Sequence, residues 1–484
     1  MTKRIRRSAL CAVVAAAAGL FAPAAASSTS PAWAASSAPR YGTHGLWVTD
    51  SAGRRLVLRG VDVMGAEFTP TSQPLPYGPS DFAAIRATGA TVVRIPIAWA
   101  NIEPRPGFYD PAAIARAVQV VRWAGQAGLL VVLDMHQWGW SPCFGGNGVP
   151  AWEASPCPDL AGTVGSVPGV SAVPGEGLAV GTGIGQFVDP APSETAFWTT
   201  TSLQQQFTEA WVDVARALGA PKWLLGYDLL NEPPNGLIPP GVFEGRVLPA
   251  FYRMVGSALR RVDPGALLFV EPALVHSAAT AASSFAVPIG LPRVVYAAHE
   301  YGTSLNDSAG DVADVAGPSQ FAPDLALTRL QAQRMGAAWW LGEWGAVNPY
   351  STLSYDSGAY NGDMLNAQDA DMLGSAYWTY VHGGYWAQSD VTRMAPFAVA
   401  GTPESFSTGT HAMTLRWAAT GGTTAISLPA GTRPVLQVST GALVSSVVVD
   451  TDGTVVPSGG AVGPHGGWME IVASPGTVQV ELAA

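Results

Sequence analysis

A chain of 484 residues is too long for one ordinary hydrophobic core, so one large domain with a smaller companion is expected. Charged residues make up 12% against 48% hydrophobic, and the formal net charge is -10 with no basic run beyond the N-terminus. That balance argues against nucleic acid as a partner.

The N-terminus accounts for part of the hydrophobicity. Lys3, Arg4, Arg6 and Arg7 precede an apolar stretch from Ala9 to Phe21, followed by Ala24–Ala26 and Ala32-Trp-Ala34, either of which suits cleavage. This is the layout of a secretory signal, and the stretch is short for a membrane span. Residues 1–34 are therefore read as signal and processing region and 35–45 as a Ser/Ala/Pro linker, with secretion and no remaining membrane span expected. Of three cysteines, Cys11 leaves with the signal. Cys143 and Cys157, close in sequence and in a secreted context, are expected to form a disulfide, and two thiols with no His at ligand spacing make a poor metal site.

Further along, Leu46–Thr49 and Arg55–Gly60 flank a turn signal at Asp50–Gly53 and read as a hairpin leading into a first strand. A helix near Asp81–Thr88, a strand at Val92–Ile95 and a helix over Ala112–Ala127 follow. Leu129–Asp134 is an apolar strand ending in Met135-His136-Gln137. The Gly/Pro/Ser/Val-rich segment from Ser141 to Thr195 has no helical period, and a loop of that length is functional or disordered. A helix over Phe197–Leu218 leads to Leu224–Leu230, an apolar run that stops at Asn231-Glu232-Pro233. Helix Phe243–Val262, strands Ala266–Glu271 and Arg293–Ala298, the triplet His299-Glu300-Tyr301 and a helix near Leu325–Met335 come next. Strand Ala338–Glu343, helix Tyr360–Met372 and strand Ser375–Trp378 complete the pattern.

Near-continuous apolar runs are strands buried on both faces, as in parallel sheets. Eight of them with interleaved helices predict an α/β fold, a closed (β/α)8 TIM barrel over 46–401. From 402 to 484 period-two runs (Met413/Leu415/Trp417, Ile426/Leu428, Val447/Val449, Met469/Ile471, Val478/Val480/Leu482) between Gly/Pro turns predict a small antiparallel β-sandwich. The short Ala400–Pro403 link suits a fixed buttress better than a tethered module. Because barrel chemistry sits at the carboxyl ends of strands, Glu232 and Glu343 are the natural acid/base pair.

Arg94, His136, Asn231-Glu232-Pro233, His299-Glu-Tyr301, Gly342-Glu343-Trp-Gly and Tyr377-Trp378 fall in order at successive strand ends. Together they resemble glycoside hydrolase family 5, retaining β-glycosidases on a (β/α)8 barrel, over roughly Leu46–Val399. Within it, the Ala398–Pro403 stretch and the sandwich resemble the actinobacterial endoglycoceramidases and endogalactosylceramidases. The resemblance implies a secreted endo-β-glycosidase that separates the glycan, galactose or glucose of a glycosphingolipid from ceramide by double displacement. Glu343 would be the nucleophile and Glu232 the acid/base. Arg94 would keep Glu343 ionised, Asn231 would bond the sugar 2-hydroxyl, His136 and His299 would bond hydroxyls or carboxylates, and Tyr301 would donate to Glu343. Trp378 would form an aromatic floor. Trp138 stands where those enzymes carry an acidic residue, and Glu67 lies near where they carry a Lys, so the preferred glycan differs.

Trp138, Trp140, Phe144, Trp152, Phe197 and Trp198 either line a groove for acyl chains or sugars or pack the long loop onto the barrel. Alternatives are a β-glucanase, mannanase or exo-β-glycosidase acting on polysaccharide or small glycosides, and a non-catalytic glycan- or lipid-binding barrel. No metal cluster, phosphate loop or dinucleotide fingerprint stands out, and no cofactor is expected. The expected partner is a β-glycoside, with transient contact with lipid surfaces, and the protein is expected to be a monomer.

Overall fold

The computed structural model describes residues 40–157, 190–274, 287–301, 319, 321–345, 357–383, 388–451, 453–456 and 460–484. The expected signal peptide and most of the long loop lie outside these residues. The described residues open on three short antiparallel strands, β1 (Tyr41–His44), β2 (Trp47–Asp50) and β3 (Arg55–Leu56). The linker read over 35–45 is corrected here: Tyr41–His44 pairs with Trp47–Asp50. Four residues with one buried end carry too little alternation to announce a strand.

Eight parallel strands then close a barrel: β4 (Arg59–Val63), β5 (Val92–Ile97), β6 (Leu130–Met135), β7 (Leu224–Asp228), β8 (Leu267–Val270), β9 (Val294–His299), β10 (Ala338–Glu343) and β11 (Ser375–Tyr380). All residues of β5, β6, β9 and β10 are buried, one face lining the interior and the other covered by helices, which is why they read as unbroken apolar runs. The single helix expected over Phe197–Leu218 is two, Ala191–Thr199 and Thr201–Leu218, because Thr200 between them is extended.

The interior is layered. Its lower part is apolar, built from Val92, Val132, Leu267, Phe269, Val295 and Trp340, and joined from below by Tyr41, Val48, Leu56 and Leu58. The three opening strands seal that end: the Trp339 amide donates to the Leu46 carbonyl at 2.9 Å and the Trp340 indole to the Leu58 carbonyl at 3.0 Å. Polar chemistry is thereby confined to the opposite, carboxyl-terminal mouth.

After the barrel come β12 (Ala395–Val399), β13 (Gly401–Ser407), β14 (Ala412–Ala419), β15 (Gly422–Leu428), β16 (Val435–Thr440), β17 (Val444–Thr451), β18 (Thr454–Val456), β19 (Gly467–Ala473) and β20 (Gly476–Ala483). They form two antiparallel sheets, one of four strands (β13-β14-β20-β16) and one of eight (β1-β2-β3-β12-β15-β19-β17-β18). The boundary expected at 401/402 therefore moves back to β12, which pairs with β15 and β3. Every residue of β12 is buried, so it lacks the alternation that marks β14 and β19. Sandwich and barrel share that sheet, and a buried hydrogen bond backed by an ion pair reinforces the junction. Arg59 meets Asp369 at 2.8 Å, and Asp369 accepts the Thr408 amide at 2.6 Å.

Candidate active site

Arg94, on β5, is wholly buried at the centre of the upper barrel layer. Its guanidinium reaches Asp62 on β4 (3.0 Å), Asp134 on β6 (3.2 Å), Asp228 on β7 (2.9 Å), Glu271 just past β8 (3.0 Å) and Glu343 on β10 (2.7 Å). It also donates to the Asn231 side-chain oxygen at 2.8 Å. Burial alone would lower the Arg94 pKa, but the surrounding carboxylates drive it well above its ordinary value, so it stays charged. One cation cannot neutralise five buried acids. Burial accordingly lifts Asp62 and Glu271 well above, and Asp228 above, the usual carboxylate range, and Asp134 up to about 7.

Above this layer stand the two predicted carboxylates. In β10 alternation would send Ala338, Trp340 and Gly342 inward and Glu343 outward, but the pairing with β9 shifts register between Leu341 and Glu343. The shift turns Glu343 back into the mouth, as bulges near active sites do. There its Oε1 meets Arg94 and its Oε2 accepts the Tyr301 hydroxyl at 2.7 Å. Tyr301 is held by its own carbonyl, which accepts the Tyr360 hydroxyl. Burial and the facing Glu343 raise the Tyr301 pKa well above its ordinary value, so the phenol remains a donor.

Glu232 lies past the end of β7 with a φ of +39°. A non-glycine residue there costs about 1–3 kcal/mol and persists only where its neighbours dictate it. Two do so. The Glu232 amide donates to Glu271 Oε2 at 2.7 Å, and its carbonyl accepts the Gln137 amide at 2.9 Å. One oxygen each of Glu232 and Glu343 and a ring nitrogen of His299 all lie within 4.8 Å of one another.

His299 binds the group together. Its Nδ1 is 2.9 Å from Glu232 Oε1 and 3.5 Å from Glu343 Oε2, and its Nε2 is 3.2 Å from Glu271, an ion-pair contact rather than an aligned hydrogen bond. Burial opposes its charge, but Glu271 and Glu343 raise its pKa well above the ordinary value. Burial likewise pushes Glu232 upward, yet its hydrogen bond and attraction to His299 win and its pKa falls below the usual range. His299, standing between Glu232 and Glu343, thus sets the direction of the Glu232 shift.

The remaining predicted residues converge on the same mouth with differing duties. His136 bonds Asp134 at 2.9 Å through Nδ1, and burial pushes its pKa down to about 4, leaving a neutral ring. Trp378 stacks on that ring, 5.3 Å between centroids and 9° from parallel, and is partly exposed, as a floor requires. The Asn231 amide nitrogen donates to the Gln137 carbonyl at 2.9 Å. Arg94 lies beneath the site and spends its donors on protein groups, so it supports Glu343 rather than touching sugar. Trp138 is 37% exposed at the rim. Trp140, Phe144, Phe197 and Trp198 are buried and Trp152 packs edge-on against Trp99, so these aromatics fasten the loop and do not line a groove. Cys143 and Cys157 form the expected disulfide. Glu67 is buried and accepts the Gly65 amide at 2.8 Å.

Sequence reasoning missed Asp62, Asp228, Glu271 and Gln137. The signal was present: each acid ends or interrupts an apolar run at an inward register, where a lone carboxylate is costly unless paired. Among the described residues two trios have the donor set for a cation, Glu232/His299/Glu343 and Asp134/Asp228/Glu271. Arg94 already contacts all three of the second.

A closed barrel with two opposed carboxylates at its mouth defines a glycoside hydrolase. The family description "Cellulase (glycosyl hydrolase family 5)" matches residues 57–383, and the chain belongs to that family. It is 26% identical over 286 residues to endoglycoceramidase I of Rhodococcus hoagii (strain 103S), 54% of this chain and 52% of that protein. It is 27% identical over 248 residues to a glucosylceramidase of Rhizopus delemar, 40% of this chain and 35% of that protein. The chain thus spans about half or less of the length of these curated relatives. Among solved structures, endo-glycoceramidase II from Rhodococcus sp. superposes with a TM-score of 0.70 at 25% identity, covering 90% of this chain and 99% of that one. An endogalactoceramidase shares the fold, with a TM-score of 0.70 at 23% identity over 91% of this chain and 99% of that one.

Proposed function

We propose that this chain is a secreted, retaining endo-β-glycosidase that hydrolyses the bond between sugar and ceramide in glycosphingolipids. The observation that carries the chemistry is the approach of the Glu232 and Glu343 carboxylates to within 4.8 Å. Retaining pairs stand roughly 5–5.5 Å apart, whereas inverting pairs leave room for a water. In the first step Glu343 forms a bond to the anomeric carbon as the glycosidic C–O bond breaks and the departing oxygen takes a proton from Glu232. In the second, Glu232 removes a proton from water, the water oxygen bonds to the anomeric carbon, and Glu343 is released. His299 Nδ1 stands 2.9 Å from Glu232 Oε1, and a proton passed across that contact arms the acid. Arg94 and Tyr301 stabilise Glu343 as it regains its charge. The second N–H of the Asn231 amide is the donor for the sugar 2-hydroxyl.

The ceramide aglycone is supported by endoglycoceramidases among both the sequence relatives and the structural neighbours. The test is to incubate purified protein with defined ceramide glycosides and with soluble β-glucans and mannans. Release of intact glycan together with ceramide is the expected result. Cleavage of polysaccharide alone would favour the second reading, a β-glucanase or mannanase, which the family description and the exposed Trp138 support. Labelling of Glu343 by a 2-deoxy-2-fluoro glycoside tests the covalent step independently, and its failure would sink the double displacement.

A further inference from the structure

We infer that Glu271 is a positioning residue for the acid/base step: one carboxylate fixes both the backbone of Glu232 and the ring of His299, and so sets where the catalytic proton sits. The inference rests on the glycosidase reading and deepens it. Glu271 follows β8 and is wholly buried, without reach to any sugar. Its Oε2 accepts the Glu232 amide at 2.7 Å, holding that residue in its left-handed conformation. Its Oε1 meets Arg94 at 3.0 Å and His299 Nε2 at 3.2 Å. The ring is therefore pinned from behind, and its opposite nitrogen, Nδ1, is presented to Glu232 Oε1.

Glu271 is in turn held through its main chain. The Tyr252 hydroxyl donates to its carbonyl at 3.1 Å and accepts its amide at 3.3 Å. The charged and titratable groups around it are Arg94 from β5, Asp134 from β6, Asp228 and Glu232 from β7 and the turn after it, Tyr252 from helix Leu248–Val262, and Tyr296 and His299 from β9. Of these, Arg94 and His299 touch its carboxylate directly. Arg94, the Glu232 amide and His299 Nε2 converge on the Glu271 carboxyl, so its oxygens anchor the ring on that side and leave Nδ1 facing Glu232.

The experiment compares two glycosides of one sugar, chosen from glucosides, galactosides and cellobiosides that the wild type cleaves. One carries 2,4-dinitrophenol, which departs without a proton, and the other phenol, which needs one. For E271Q, kcat/KM on the phenyl glycoside is expected to fall at least tenfold further than on the dinitrophenyl glycoside, and by no more than the roughly 10²–10⁴ that general acid catalysis contributes. The alkaline limb of the phenyl profile is expected to move to lower pH, because the carboxyl oxygen 3.2 Å behind His299 Nε2 gives way to a weaker amide acceptor. Equal losses on both substrates, or no loss, would overturn the inference. Should E271Q fail to fold, Y252F is expected to give the same ordering with a smaller ratio, and equal losses there overturn it too. Aryl glycosides report only on bond cleavage, so inactivity towards ceramide glycosides would remove the proposed substrate and leave this comparison standing.

Discussion

Asp134 and His136 share one hydrogen bond, and burial moves their pKa values in opposite directions, to about 7 and about 4. A raised acid binds more protons folded than unfolded, so between pH 4 and 7 Asp134 makes stability fall as pH rises. A depressed His binds fewer, so between pH 4 and 6.5 His136 makes stability rise with pH. Each slope is about 1.4 kcal/mol per pH unit, and over that window they oppose one another. D134N removes the first slope and exposes the second. Its Tm should climb more steeply from pH 4.5 to 6 than the wild type's, and parallel curves would show that the two groups do not titrate as described. Nearer the chemistry, Y301F removes the 2.7 Å donor to Glu343. A hydrogen bond to a charged group is worth about 1.5–3 kcal/mol, so kcat should fall roughly tenfold to a hundredfold, whereas an unchanged kcat would leave Tyr301 only a packing role.

Elements explain what single residues do not. A Cβ added at Gly342 would lie 2.8 Å from His299 Nε2, so the glycine before Glu343 makes room for the neighbouring strand's ring. G342A should displace that ring and cost about 1–3 kcal/mol of stability, with loss of activity out of proportion to the fall in Tm. Full activity in that variant would mean that the ring's position is not critical. The strand-end residues were legible in the sequence because apolar runs that stop at polar side chains are a strong pattern. The register shift at Glu343 and the left-handed turn at Glu232 were not, since both follow from pairing with distant strands. The loop aromatics show the converse. Their composition suited either a groove or a core, and only packing against Trp99 and Phe251 decided it. The disulfide at the base of that loop encloses about 15 residues, and opening it should cost about 3 kcal/mol. A Tm unaffected by reductant would contradict that.

At the scale of the whole molecule the barrel and the sandwich are one structure. They share the eight-stranded sheet, and contacts cross the junction: Arg86 donates to the Gly467 carbonyl at 3.0 Å and lies over the Trp468 ring at 4.4 Å, while Asp369, held by Arg59 within the barrel, accepts the Thr408 amide. The short link at Ala400–Pro403 made a buttress readable in the sequence, but the opening strands' membership of the same sheet was not, because their partners lie some 340 residues away. R59M leaves Asp369 buried with only Thr408 to satisfy it, and removing one partner of such a pair costs about 3–5 kcal/mol. Replacing both, R59M with D369L, should recover much of that loss. In each variant thermal unfolding should remain a single transition, because neither part can expose its half of the shared sheet alone. A sandwich that melts before the barrel, with glycosidase activity intact above its transition, would show that the two are merely adjacent.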